Sequence, residues 1–210
     1  MKKSYIKLPI IFCTLIMYGS IKAQQEGDYL WQPIITLHYE YSFGTNDWEY
    51  SHPLYTGSGV HSISETGTFK TKSIFSVGFE ISKGYYGFNV NTGIIPAEIN
   101  VDKTGMNYNF NSFFLEIEGI FFPLSNPADK LVPLLKIGGG GIKSSGDLTN
   151  SALFYSFSGG IRTFLSEKTG VTLMIKGRHI TYNEIPLNEN VTGDISFTNF
   201  AIKIEALYKL

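Results

Sequence analysis

SALFYSFSGGIRTFLSEKTGVTLMIKGRHITY, Ser151 to Tyr182, decides the fold of this 210-residue chain. Its first half sets Tyr155, Phe157 and Ile161 against Ser156, Ser158, Gly160 and Arg162. Its second half sets Val171, Leu173 and Ile175 against Thr172, Met174, Lys176 and Arg178. Alternation with a period of two on both sides of the short turn SEKTG predicts a β-hairpin with one apolar and one polar face. Arginine and lysine sit among small residues in the middle of that polar face, where a water-facing strand would be dense in mixed charge.

Working outward, the same alternation recurs in six further runs. Ile35, Leu37, Tyr39, Tyr41 and Phe43 oppose Thr36, His38, Glu40 and Ser42; Phe75, Val77, Phe79 and Ile81 oppose Ser76, Gly78, Glu80 and Ser82. Tyr86, Phe88, Val90, Thr92 and Ile94 face away from Gly87, Asn89, Asn91 and Gly93, and Phe113, Leu115 and Ile117 away from Ser112, Phe114, Glu116 and Glu118. Leu135 and Ile137 oppose Lys136, Gly138 and Gly140, and the last run opposes Phe200, Ile202, Ile204, Ala206, Tyr208 and Leu210 to Asn199, Ala201, Lys203, Glu205 and Leu207. No segment after residue 24 keeps helical spacing for three turns. Connections alternate between long (roughly 44–70 and 96–107, then moderate ones after the fifth and seventh runs) and short, with FPLSNPADK (122–130), after the fourth run, longer than that pattern expects. Such an even-stranded meander is the layout of an all-β, eight-stranded antiparallel up-and-down transmembrane barrel.

The polar faces hold a balanced set: Glu40, Glu80, Glu116, Glu118 and Glu205 against Lys136, Arg162, Lys176, Arg178 and Lys203. An eight-stranded barrel is only wide enough for side chains to fill its interior. Unpaired charge there is costly and paired charge is tolerated. The expectation is an internal salt-bridge plug, with Lys136 meeting Glu116 or Glu118 on the neighbouring strand. A soluble, lipocalin-like sheet carrying ordinary surface charge is the competing reading. On the apolar face, Tyr39, Tyr41, Phe43, Tyr86, Tyr155 and Tyr208 lie towards strand ends, as in an aromatic girdle at a membrane interface.

The N-terminus, MKKSYIKLPIIFCTLIMYGSIKA, places three lysines before an apolar run and ends in small residues, the order of a secretory signal. Residues 1–23 are expected to be a cleaved signal peptide and residues 24–210 the barrel domain. Cys13, in the leader, is the only cysteine, so the mature chain has no thiolate chemistry. Without Lys2, Lys3, Lys7 and Lys22 there remain 13 bases against 18 acids, a net charge of −5. With no basic block, nucleic acid is not an expected partner.

Three segments carry a resemblance. FFPLSNPADKLVPLLKIGGGGIK (121–143), LMIKGRHITY (173–182) and FAIKIEALYKL (200–210) resemble elements of the small OmpA/OmpX-like outer-membrane β-barrel superfamily. That resemblance implies residence in the outer membrane among its lipids, as a monomer. Its loops would then serve adhesion, envelope integrity or partner binding; a small porin-like solute channel is the alternative.

Other chemistry is sparsely supported. In KIGGGGIKSSG (136–146) Ile142 separates the glycines from Lys143, and strand follows where a P-loop needs a helix, so no nucleotide cofactor is expected. His38, His52, His61 and His179 have no ligand spacing, so no metal is expected. RHITYNE (178–184) resembles the His-x-Ser arrangement of outer-membrane lipid A deacylases, with His179 and Thr181 as the catalytic candidates of a lipid A-modifying hydrolase, although threonine replaces the serine. The long first loop joins Trp48, Tyr50 and Tyr55 to small polar residues, a composition suited to a binding surface on segment 44–70.

Overall fold

A computed structural model describes residues 31–43, 46–56, 59–123, 131–188 and 191–210, and within them only the backbone of 51–56, 59–63, 187–188 and 191. The expected leader, residues 1–23, lies outside the described residues. The strands are β1 (Gln32–Ser42), β2 (Asn46–Thr56), β3 (Gly59–Thr71), β4 (Ile74–Lys83), β5 (Tyr86–Val101), β6 (Met106–Phe121), β7 (Leu131–Gly146), β8 (Ser151–Phe164), β9 (Thr169–Asn188) and β10 (Val191–Lys209).

Eight of them close a ring. β1 pairs antiparallel with β4, β4 with β5, and so on through β6, β7, β8 and β9 to β10, which pairs back with β1 from Ile34↔Lys209 to Ser42↔Ala201. Closure leaves no sheet edge in this part of the molecule, the condition for a sheet to cross lipid.

The extra pair, β2 and β3, corrects the reading of residues 44–70 as a loop. They form a hairpin, and β3 continues onto β5 through Gly67↔Val101 to Thr71↔Ala97, taking the edge that β4 leaves free above Ile74. Segment 96–107, also expected as a loop, is instead the upper part of β5 and β6, paired to the tip at Val101↔Met106. The alternation continues through both stretches in spite of their glycines and prolines, and ladder pairing makes them strand. β9 and β10 likewise run on to Asn188 and Val191. The barrel therefore carries a collar of paired strands at one end and tight turns, such as Lys83 to Tyr86, at the other.

The collar inverts the polarity of the barrel. On β10 the outward residues run Tyr208, Ile204, Ile202, Phe200, then Thr198, Ser196, Asp194 and Thr192, while the inward ones run Glu205, Lys203, Asn199, then Phe197 and Ile195. On β5 outward Phe88, Val90 and Ile94 give way to Glu98 and Asn100 as inward Asn89 and Asn91 give way to Ile95, Ala97, Ile99 and Val101. β6 repeats this, outward Ile117, Leu115 and Phe113 passing to Asn111, Asn109 and Asn107. The lower belt leaves large side chains bare, Leu37 at 61 %, Phe75 at 66 % and Ile175 at 63 % exposure, a continuous apolar band that water would not tolerate. The apolar stretch on β10, Phe200 to Tyr208, matches the 9–11 tilted residues that cross a bilayer. Lipid contacts the belt and water the collar. Ile204→Arg is accordingly expected to destabilise the barrel by about 2–4 kcal/mol, and Thr192→Arg by about 1 kcal/mol or less. Urea unfolding in liposomes measures the pair, and equal costs would misplace the boundary.

A bulge preserves the inward apolar face near the collar tip. Glu184 adopts φ 55, its N–H donates to Asp194 Oδ1 at 2.9 Å, and the β9–β10 register shifts between Gly193 and Ile195. The extra residue leaves Asn183 and Glu184 both outside and returns Ile185 to the core.

Candidate functional site: a charge-lined lumen beneath an apolar collar

Parity along the ring strands sends the five glutamates and five bases of the polar faces into the lumen. Glu40, Glu80, Glu116, Glu118, Glu205, Lys136, Arg162, Lys176, Arg178 and Lys203 are all buried. They form one connected chain across the bilayer. At the collar side Arg178 Nη2 meets Glu40 at 3.0 Å, and Lys176 Nζ binds Glu116 at 2.6 Å, Glu118 at 3.1 Å and approaches Glu40 at 3.6 Å. Lys203 lies 3.8 Å from Glu118 and 3.0 Å from Glu205, linking the two halves. At the turn side Lys136 Nζ donates to both oxygens of Glu205, at 2.7 and 2.9 Å. Arg162 makes a two-pronged pair with Glu80 at 2.6 and 2.8 Å, the planar fork matching the carboxylate.

The principal partner of Lys136 corrects the sequence expectation. It reaches across the lumen to Glu205 on β10, and neighbouring-strand Glu118 stands at 3.9 Å. A narrow closed interior brings opposite walls within side-chain reach, which pairing order alone does not convey. The glycines of β7 leave the required space: a Cβ on Gly138 would fall 2.8 Å from Glu118 Cγ, and one on Gly140 3.0 Å from Glu116 Cα.

Neutral groups join the network. Asn91 and Asn89 donate to Glu118 Oε2 at 2.7 and 3.3 Å, and Ser156 donates to Glu116 at 2.5 Å. His38 Nε2 lies 3.6 Å from Glu205. These residues share the polar faces already visible in the sequence, but their type does not announce an ionic role.

Both ends of the charge chain are closed by aromatic rings. The Arg178 guanidinium lies over Phe114 at 5.4 Å and Phe154 at 5.3 Å, and that of Arg162 lies over Phe122 at 5.3 Å. Desolvated cation–π contacts of this kind are worth about 2 kcal/mol. Above Arg178 a hydroxyl layer, Ser112 with Ser144 at 2.8 Å and with Tyr182 at 3.2 Å, marks the change to apolar packing. Asn199 ties this level to the first strands through Ser42 at 3.1 Å and Thr71 at 2.8 Å. The collar interior then fills with Phe69, Phe110, Ile180, Tyr182, Ile195 and Phe197 among others, Phe69 stacking on Phe197 at 3.6 Å. Tyr108, at the collar rim, donates to Pro186 O at 3.1 Å, and its partial burial raises its phenol above the usual value, so it stays a donor.

Other sequence candidates are placed differently. Trp48 does not belong to an exposed binding surface: it is 4 % exposed, turned into the collar core by the alternation of β2. Tyr50 is half-buried against the same core, and the Tyr55 side chain lies outside the described residues, as do those of His52 and His61. His179 and Thr181 stay on the outer face without meeting each other. His179 Nδ1 pairs with Thr198 Oγ1 at 3.0 Å and its ring stacks on Tyr155 at 4.9 Å, whereas Thr181 bonds Ser196 at 2.9 Å.

A closed antiparallel ring with an apolar belt, a polar side-chain-filled lumen and long hairpins at one end is the architecture of an outer-membrane β-barrel, a class with short periplasmic turns and longer extracellular loops. No protein-family model matches the chain, and no curated protein sequence does. Solved structures do match in fold. The outer membrane protein OprG from Pseudomonas aeruginosa is 9 % identical with a TM-score of 0.55, over 88 % of this chain and 99 % of that one. The outer membrane protein AlkL, solved by solid-state NMR in DMPC bilayers, is 15 % identical with a TM-score of 0.50, over 88 % of this chain and 92 % of that one. The chain thus has the fold of the small outer-membrane β-barrels.

Proposed function

We propose that the protein is a non-conducting, non-enzymatic outer-membrane barrel that works through its extracellular collar, in adhesion, envelope integrity or partner binding. The observation that carries this reading is the charge-filled lumen: five buried carboxylates and five buried cations paired with one another, with arginines at both ends lying over phenylalanine rings. A solute path needs mobile water alongside such charges, and these side chains are turned towards each other instead. The collar is a ladder-built rigid element, the kind of scaffold that presents a binding surface without ordering cost. Against the hydrolase alternative, His179 is engaged with a threonine and an aromatic ring instead of a carboxylate that would orient it.

Purified protein in planar bilayers is expected to give no stable unitary currents between pH 6 and 8. Reproducible single-channel steps that disappear when the protein is omitted would overturn the sealed-lumen reading and leave the porin-like channel.

A further inference from the structure

The ring of eight strands is closed, but the collar above it is not. β2 continues upward from β1, pairs with β3 on one side and stands beside β10 on the other. The β1–β10 ladder ends at Ser42↔Ala201, and Phe43 N–H donates to Phe200 O at 3.2 Å just above it. Beyond that point, among the described residues, no ladder joins β2 to β10, although the two strands come within 8 Å of each other between Cα atoms. β2 and the upper part of β10, residues 191–199, are therefore sheet edges that face each other across a seam.

Other edges of the collar are capped. Where β9 outruns β8, Asn150 Nδ2 donates to Asn183 O and Glu184 O at 3.0 and 3.3 Å. Where β6 outruns β7, Asp147 N–H donates to Asn109 O at 3.3 Å and Asn109 N–H to Asp147 Oδ2 at 2.9 Å. Blunting of this kind keeps a free edge from pairing with another chain. The seam presents two edges side by side, and it is a gap in the backbone wall with the core intact behind it. Phe69 of β3 stacks on Phe197 of β10 at 3.6 Å, and Asn199 donates to Thr71 Oγ1 at 2.8 Å, so the base of the seam is spanned from inside.

An extended strand is the occupant that offers N–H and C=O groups along both of its sides, as two facing edges require. The outer faces beside the seam are acidic, with Asp47 and Glu49 exposed on β2 and Asp194 exposed on β10 among the neutral Thr192, Ser196 and Thr198. Inward, Trp48 and Phe197 already fill the core. A fitting strand alternates basic residues outward with small apolar residues inward. The same acids disfavour a second copy of this chain, because its own edges carry them and like charges opposite one another destabilise a sheet.

We infer that the seam between β2 and β10 takes up an extended basic polypeptide segment as an added strand, its backbone completing the collar sheet and its lysine or arginine side chains lying along Asp47, Glu49 and Asp194. The inference rests on the collar being the working part of the barrel and names the class of partner it takes.

The test titrates the full chain, in nanodiscs of zwitterionic phosphatidylcholine, with the labelled peptide acetyl-KVKVKVK-amide. One control replaces every lysine of the peptide by glutamate. The other methylates its valine nitrogens, which keeps charge and alternation but removes the donors from one side. Saturable binding is expected, at least tenfold weaker for either control, with at least tenfold slower exchange of the seam-facing amides of residues 192–199. Asp47→Lys/Glu49→Lys, at two exposed positions, is expected to lower the preference for the basic over the acidic peptide at least tenfold, its folding checked by heat-dependent gel mobility. Equal binding of the methylated peptide would mean charge attraction alone, and no saturable binding a seam that admits no strand. Slow exchange of 192–199 before peptide is added would mean that β2 zips directly onto β10, and dimers that block the peptide would make a second copy the occupant. Each of these overturns the proposal. The three peptides on the unmutated chain decide even where the double variant fails to fold. Unitary currents would remove the non-conducting reading without altering these titrations, and a peptide that does not bind leaves a silent lumen standing, so the two readings fail separately.

Discussion

Lys176→Met is expected to lower barrel stability by about 3–5 kcal/mol, the cost of breaking a buried ion pair by removing one partner. Lys176 Nζ bonds both oxygens of Glu116, at 2.7 and 2.6 Å, and one oxygen of Glu118 at 3.1 Å. Methionine keeps most of the volume but leaves a net negative charge in a lumen that is otherwise balanced. Restoring balance with Lys176→Met/Glu116→Gln should recover more than half of the loss, because an amide still accepts from Ser156. Urea unfolding in liposomes, followed by tryptophan fluorescence and gel mobility, measures both. A single variant as stable as the parent would mean that water solvates these groups, and the sealed lumen would fall with it.

Gly140→Ala is expected to cost about 3 kcal/mol or to block folding, while the adjacent Gly141→Ala changes stability by less than about 0.5 kcal/mol. A Cβ on Gly140 would collide with Leu115 O and come within 2.9 Å of the Leu115 carbonyl carbon, backbone atoms held in the β6–β7 ladder. Neither can yield without opening the barrel wall. A Cβ on Gly141 meets nothing within 4 Å and points towards lipid. The same unfolding assay separates the two neighbours, and equal effects would show that strand β7 is free to shift.

That contrast inside GGGG shows how far the residues themselves speak. Alternation assigned Gly140 to the lumen and Gly141 to the lipid, and the same period of two placed all ten charged residues inside. It also set His38, Asn89 and Asn91 on the polar faces. Their part in the network was not legible, because a neutral amide beside a carboxylate leaves no periodic signature. Trp48 was misread for a related reason. Its segment alternates, but its turn-forming and polar residues resemble those of a loop, and only pairing of β3 with β5 makes it strand.

The amino-acid pattern by itself determined the class: alternating faces, balanced charges on the polar one, and aromatic residues at strand ends can satisfy their backbone in lipid only by closing a ring. Tertiary structure decided which carboxylate each base meets, since Lys136 and Glu205 are distant in sequence and become close only across a closed lumen. It also decided that the collar is built from strands with an apolar interior. Above the bilayer the solvent outside changes from lipid to water, the hydrophobic side chains gain by turning inward, and the polarity of the strands that continue into the collar, β5, β6 and β10 among them, reverses where the membrane ends.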